Sequence, residues 1–294
     1  MTKISGIFAA SMSVINSDLS LNIEKTINHA ENLINNGCHG TAIFGSTGQA
    51  QLIPISEKIK LLNILSDTKF RDKHLIGTGL NSLNETINFL KIAGSLNFKN
   101  FLIMPPAYYK YEDVDVINFY TKTVEAVPDC KIILYNFEKL SGYKFSVQCI
   151  EELVKRFPKQ IVGVKDSSYN LFENLKLDNF SILPGSESKL LKGLELGCDG
   201  VITATCNVTA QLARRVYNDF FSGKEQLYNK KLIEVRNEFE KYNLISALHT
   251  YKSKEDQNFN NVIPPLGLLN NIDENNLTLN LKKLDFQINS QLAA

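Results

Sequence analysis

The chain contains no tryptophan, only eight prolines and four histidines among 294 residues, and no apolar run of membrane-spanning length. No segment therefore reads as a membrane-spanning helix. The scarcity of proline, with no Gly/Ser-rich or repetitive stretch, leaves no segment that reads as an interdomain linker. His29, His39, His74 and His249 fall on predicted helices, at strand starts or in the C-terminal tail, none at metal-ligand spacing. Their expected roles are structural, and no metal is expected. Cysteine is equally uninformative as chemistry. Cys38, Cys130, Cys149, Cys198 and Cys206 are odd in number, widely spaced and without a C-x-x-C pair, which speaks against a disulfide framework and for small core hydrophobes in a reducing compartment. Charge is also nearly absent in sum. The 32 basic and 31 acidic side chains leave a net +1, so no global field draws nucleic acid or an anionic membrane, and a small neutral or anionic substrate is the expectation. The opening "MTKISGIFAASMSVINS" holds too short an apolar patch for a signal peptide, which points to a cytoplasmic protein.

What is present is a repetition. Eight short β-rich apolar runs recur: Gly6–Ser11, Thr41–Gly45, His74–Gly79, Asn100–Pro105, Lys131–Asn136, Ile161–Asp166, Ser181–Ser186 and Gly200–Cys206. Between them lie segments of helical spacing, among them Leu21–Asn36, Glu57–Asp67, Glu112–Val127 and Val147–Phe157, the second introduced by Pro54-Ile55-Ser56-Glu57. Strands buried on both faces and separated by helices call for parallel pairing. Eight units in this length predict an α/β fold, a (β/α)8 TIM barrel forming one domain over 1–294, with the barrel in 1–222 and appended C-terminal helices in 223–294 packing outside it.

In such a barrel, chemistry belongs at the C-terminal strand ends. There the run "IVGVKD" delivers Lys165. An amine held out of water is neutral more of the time, and a neutral amine attacks carbonyls to form an imine that draws electrons from the neighbouring carbon. Lys165 could equally snorkel from the rim or pair with Asp166. The run "KIILYN" delivers Tyr135, whose phenol can carry a proton or hydrogen-bond a carboxylate, or simply sit at the surface as a β-former. In "GSTGQ", Ser46 and Thr47 lie between glycines, in a turn whose successive N–H groups could cradle a carboxylate.

Taken together these stretches resemble a known family, the pyruvate-dependent class I aldolases and lyases that include dihydrodipicolinate synthase, N-acetylneuraminate lyase and 2-keto-3-deoxygluconate aldolase. "GSTGQ" resembles the family's G-[ST]-T-G-E, "YNF" its Y-N-x-P and "GVKDSS" its G-[IV]-K, in the same order over nearly the whole chain. The resemblance implies that Lys165 forms a Schiff base with the C2 carbonyl of pyruvate or a 2-keto acid, no other cofactor being needed. It implies that Tyr135 moves the proton of the aldehyde oxygen, with Thr47 linking the phenol into a hydroxyl relay. The N–H groups of Ser46 and Thr47 would hold the pyruvoyl carboxylate. Tyr108, in "PPAYYKY", would reach into a neighbouring subunit's site, making the enzyme a homo-oligomer, in this family usually a homotetramer built as a dimer of dimers.

Departures from the family patterns bear on the substrate. Leu140 stands where the synthases carry an arginine that grips the carboxylate of aspartate semialdehyde, and an aliphatic side chain cannot make that bidentate contact. "YNFEKLSGYKFS" is closer to the sialic acid lyase version. That lyase reads its sugar with an Asp-Glu pair, however, where this chain has Glu187-Ser188, and Ala204 replaces a serine. Ser167 and Glu187 could both bond hydroxyls of a short polyol tail. The expectation is therefore reversible cleavage of a 2-keto-3-deoxy sugar acid, or a sialic-acid-like 2-keto acid, to pyruvate and an aldehyde. Condensation of pyruvate with aspartate semialdehyde, a metal-dependent aldolase and a non-catalytic 2-keto acid-binding barrel stand as alternatives.

Overall fold

The computed structural model describes residues 3–287; the two N-terminal residues of the opening segment and residues 288–294 of the appended tail lie outside them. Eight strands, β1 (Gly6–Ala10), β2 (Gly40–Ile43), β3 (His74–Gly77), β4 (Asn100–Ile103), β5 (Lys131–Asn136), β6 (Ile161–Asp166), β7 (Ser181–Pro184) and β8 (Gly200–Thr203), run parallel in the order 7-6-5-4-3-2-1-8. The ring closes between β7 and β8, where Ile182 and Asp199 exchange two hydrogen bonds of 3.0 Å. This is the expected TIM barrel.

The first helices are α1 (Ile23–Asn35), α2 (Ile55–Leu65), α3 (Leu83–Ser95) and α4 (Asp113–Ala126). Three of them start where the sequence supplies a side-chain cap: Asn22 accepts from the Lys25 N–H, Ser82 from that of Glu85, and Glu112 forms a capping box with Asp115, while α2 follows Pro54. A single turn, α5 (Glu138–Ser141), and α6 (Val147–Arg156) precede β6. Helices α7 (Leu190–Glu195) and α8 (Cys206–Phe221) flank β8, and α9 (Asn229–Glu240), α10 (Leu244–Ser253) and α11 (Asn271–Lys283) follow.

One unit departs from the expected alternation. The connection from β6 to β7 contains no α-helix among the described residues. Its organiser is Asp166, whose carboxylate accepts the N–H groups of Tyr169, Leu171 and Phe172 at 2.9–3.0 Å and so holds the segment in a compact non-helical loop.

Strand parity decides what faces the barrel axis. Phe8, Ala10, Leu75, Leu102, Ile133 and Tyr135 form one buried cluster, while Ile132 and Leu134, one residue out of step on β5, join the layer beneath the helices. Tyr135 pairs in register with Lys165 across β5 and β6, so the two side chains share the inner face at the C-terminal rim. All five cysteines are buried thiols. Among the described residues no helix is long and apolar enough to cross a membrane.

Candidate active site

At the C-terminal rim the barrel opens into a cavity of about 320 Å³ whose wall includes Ser46, Thr47, Tyr135, Lys165 and Ser167. Lys165 is 3% exposed, and its Nζ lies 4.1 Å from the centroid of the Tyr135 ring. It neither snorkels to solvent nor pairs with Asp166. Strand alternation turns the Asp166 carboxylate to the opposite face, where it accepts from Asn136 Nδ2 at 2.8 Å as well as from the loop. Asn136 is buried too: it also donates to Asn170 Oδ1 and accepts the Phe145 N–H. Asn136 and Asp166 thus lock β5 to β6 directly behind Tyr135 and Lys165. Sequence reading gave Asn136 no role and considered Asp166 only as a partner of Lys165, although each stands next to a residue that it did single out.

The phenol of Tyr135 meets Ser46 Oγ at 3.0 Å. The hydroxyl that bonds Tyr135 is thus that of Ser46, where Thr47 was expected. The turn explains it. Gly48 N–H bonds back to Gly45 and Gln49 N–H to Ser46, so Ser46 stands at the crest facing β5, while Thr47 is buried at 4% exposure on the cavity wall. Gly48 is required where it is, because a Cβ there would sit 2.8 Å from the Ser11 carbonyl oxygen. On its far side the turn is tied down by Gln49, whose Oε1 accepts the Ile263 N–H at 2.7 Å and whose Nε2 lies 3.4 Å from His249 Nε2.

Ser167 lines the cavity, and the glycine opposite it is a close fit, since a Cβ on Gly185 would fall 2.1 Å from Ser167 Oγ. Leu140 lies on a neighbouring recess of about 240 Å³ that shares Ser46 and Tyr135 with the main cavity. Tyr108 is 91% exposed with a positive φ of 90°, against Tyr109 and away from this chain's own cavity.

Glu187 does not reach the cavity, contrary to the sequence expectation of a hydroxyl-binding carboxylate. It is fully buried. Its oxygens accept the hydroxyls of Thr203 at 2.5 Å, Thr209 at 2.9 Å and Thr205, and its counter-charge is Arg236 at 3.5 Å. Three threonines contributed by β8 and the start of α8, with Arg236 beside them, thus engage the carboxylate away from the cavity. Arg236 in turn donates to Glu240 and to Thr203 and Thr205. With Glu240, Tyr242 and Leu244 it forms part of the cavity wall. The C-terminal helices therefore do more than pack outside the barrel. No local motif marks these residues, because they reach the site only through tertiary docking of α9.

Among the described residues no cluster of three or more His, Cys, Asp or Glu side chains is arranged to hold a metal ion. The fold and site define a parallel β/α barrel with a buried amine beside a hydroxyl-bonded phenol at its C-terminal rim. The chain belongs to the dihydrodipicolinate synthetase family, which it matches over residues 3–284, and is thereby placed among lyases. It is 31% identical over 210 residues to the 4-hydroxy-tetrahydrodipicolinate synthase of Listeria monocytogenes, covering 69% of this chain and 71% of that one. It is 28% identical to an uncharacterized DapA-like lyase of Chloroflexus aurantiacus, covering 76% of this chain and 77% of that one. In fold it is similar to YagE, a prophage protein from E. coli K12 solved in complex with pyruvate, with a TM-score of 0.87, 21% identity and coverage of 97% and 100%.

Proposed function

We propose that the chain is a pyruvate-dependent aldolase acting through an imine on Lys165, and that it reversibly cleaves a 2-keto-3-deoxy sugar acid or a sialic-acid-like 2-keto acid. One observation carries this reading: the buried Lys165 amine faces the Tyr135 ring at 4.1 Å, and the Tyr135 phenol is bonded to Ser46 at 3.0 Å. The neutral amine adds to the C2 ketone, and Tyr135 gives up its proton so that the hydroxyl leaves as water, which produces a protonated imine beside a Tyr135 phenolate. Tyr135 accepts the proton of the C4 hydroxyl as the C3–C4 bond breaks. The bonding pair moves toward the imine nitrogen, leaving an enamine and a free aldehyde. A proton returns to C3, and hydrolysis of the resulting imine releases pyruvate and restores Lys165. The turn at Ser46 and Thr47 is the proposed seat of the substrate carboxylate.

Two features favour a hydroxylated aldehyde over aspartate semialdehyde. Leu140 offers no cation, and the guanidinium of Arg236, though on the cavity wall, is already bonded to Glu240, Thr203 and Thr205. Ser167 and Ser168 supply hydroxyls to the same wall. The Listeria relative's name favours the synthase reaction instead, so both aldehydes belong in the test. Tyr108, exposed and turned outward, is proposed to complete the site of a second copy in a homo-oligomer.

Incubation with pyruvate and borohydride, followed by peptide mass spectrometry, is expected to place a reduced pyruvate adduct on Lys165 that is absent in Lys165→Ala. No adduct under conditions that label a known class I aldolase would overturn the imine mechanism. Given an adduct, turnover with glyceraldehyde or N-acetylmannosamine but not with aspartate semialdehyde supports the sugar-acid reading, and the reverse result replaces it with the synthase.

A further inference from the structure

A cleft of about 600 Å³ lies apart from the barrel mouth. It lies between α1, the start of α8 and the segment from Lys252 to Phe259. One helical face of α1 lines it with Lys25, Asn28, His29, Asn32 and Asn36, and Gln211, Asn207 and Asn258 face them from the other elements. Six of its lining side chains are carboxamides, an unusual concentration for a surface with no role in the barrel chemistry.

The floor of the cleft carries an unspent acceptor. Asn207 is held by three backbone contacts: its Nδ2 donates to the carbonyls of Ala10 and Ala204 at 2.8 and 2.7 Å, and its Oδ1 accepts the Met12 N–H at 3.0 Å. Its amide orientation is thereby fixed. His29 Nε2, 2.8 Å from the same Oδ1, must then be the protonated nitrogen and donate. Nδ1 is left as a bare acceptor on a ring that is only 8% exposed and lines the cleft, with no partner among the described residues. Burial supports the neutral ring by lowering its pKa to about 4.

The polar groups around it have a recognisable preference. Asn207 and Asn258 are already engaged, and Asn36 donates to the Asn32 carbonyl and accepts from Gln211; Asn28 and Asn32 on α1 each offer a donor and an acceptor side by side, a match for a vicinal diol, and His29 Nδ1 requires a donor such as a hydroxyl. The charged groups on the wall are Lys25 and Lys252 against Asp256. Lys25 spans the cleft to Asn258 Oδ1, and Asn258 is itself held by Asp256 at 2.6 Å, so the far wall is braced by hydrogen bonds. The balance on the wall is one positive charge, which suits an anion.

We propose that this cleft is a second ligand site, separate from the barrel mouth, for a polyhydroxylated carboxylate of the sugar-acid class, with His29 Nδ1 and the α1 carboxamides bonding its hydroxyls and Lys25 its carboxylate. The proposal does not depend on the reaction assigned to Lys165. D-gluconate is the probe, because it has the hydroxyls and carboxylate but no ketone with which to form an imine. Calorimetric titration is expected to give saturable binding, with a Kd on the order of 1 mM or tighter, to the wild type and equally to Lys165→Ala. Asn28→Leu/Asn32→Leu, which alters two exposed helix positions and leaves the barrel mouth untouched, is expected to weaken binding at least tenfold, since two hydrogen bonds are lost at about 1 kcal/mol each. Unchanged binding in that variant, or binding lost in Lys165→Ala, would place the ligand in the barrel mouth and overturn the proposal. So would the absence of saturable binding to the wild type. Equal affinity for the uncharged polyol sorbitol would remove the carboxylate from it. Matching thermal midpoints of all variants would exclude misfolding as the cause of any loss.

Discussion

Tyr135 and Lys165 are register partners on adjacent strands, which sets the amine 4.1 Å from the centre of the phenol ring without help from any loop. The geometry of the pair is thus a property of the sheet. Replacing Tyr135 by Phe keeps the ring against the amine and removes only the hydroxyl and its contact with Ser46. The expected outcome is that pyruvate is still trapped on Lys165 by borohydride while carbon–carbon cleavage slows by about 10²- to 10³-fold, the usual worth of a positioned proton carrier. Trapping and turnover measured on the same preparation separate the two steps. Equal loss of both would mean that the phenol is needed for imine formation itself.

Behind that pair, Asp166 gathers four hydrogen bonds from Asn136 and the β6–β7 loop. Asp166→Ala leaves three loop N–H groups without their acceptor, at a cost of about 1–3 kcal/mol for each that stays buried. A lowered thermal midpoint and faster proteolysis between residues 167 and 180 are expected. A loop as resistant as the wild type's would show that Asp166 does not organise it.

A buried ion pair makes a sharper claim. Arg236→Met strands the Glu187 carboxylate among three threonine hydroxyls, and breaking one side of a buried pair costs about 3–5 kcal/mol. Glu187→Gln in the same chain removes the stranded charge, so the double variant is expected to be more stable than Arg236→Met alone. Denaturant unfolding of the three proteins checks this. Additive losses would mean that the two residues are not coupled.

Acid should weaken the fold through its buried imidazoles. His29, His74 and His249 are each held to a pKa of about 4, chiefly by burial, against an ordinary value of 6.5. In this window the unfolded chain binds more protons than the native one, so stability is full above pH 6.5 and declines as pH falls toward 4. The thermal midpoint is expected to drop across that interval, and His249→Gln to make the decline shallower. A pH-independent midpoint between 6.5 and 4 would contradict the assignment of these rings as neutral.

The barrel was legible because its signal repeats: eight apolar runs of strand length survive local noise, and the predicted starts and ends of α1, α4 and α6 fall within two residues of those observed. Lys165 and Tyr135 stood out because a polar residue closing an apolar strand is conspicuous. What failed to show lies off the strands. The exchange of Thr47 for Ser46 turns on the rotation of a four-residue turn, the burial of Glu187 on threonines more than fifteen positions away, and the contribution of Arg236 and Glu240 on where α9 docks. None of these has a periodicity that a linear pattern could record. The missing helix after β6 has the same origin, since one carboxylate replaces it as the organiser of the loop.

Gln49 joins the turn facing the cavity to the Ile263 backbone, 214 residues further along the chain. During synthesis that link cannot form until nearly nine-tenths of the protein has left the ribosome, long after the eight strands are available. The far-side anchor of that turn is therefore among the last of its contacts to form. A chain cut short before residue 263 could close its barrel and bury its lysine and still lack the far-side anchor of the turn opposite it.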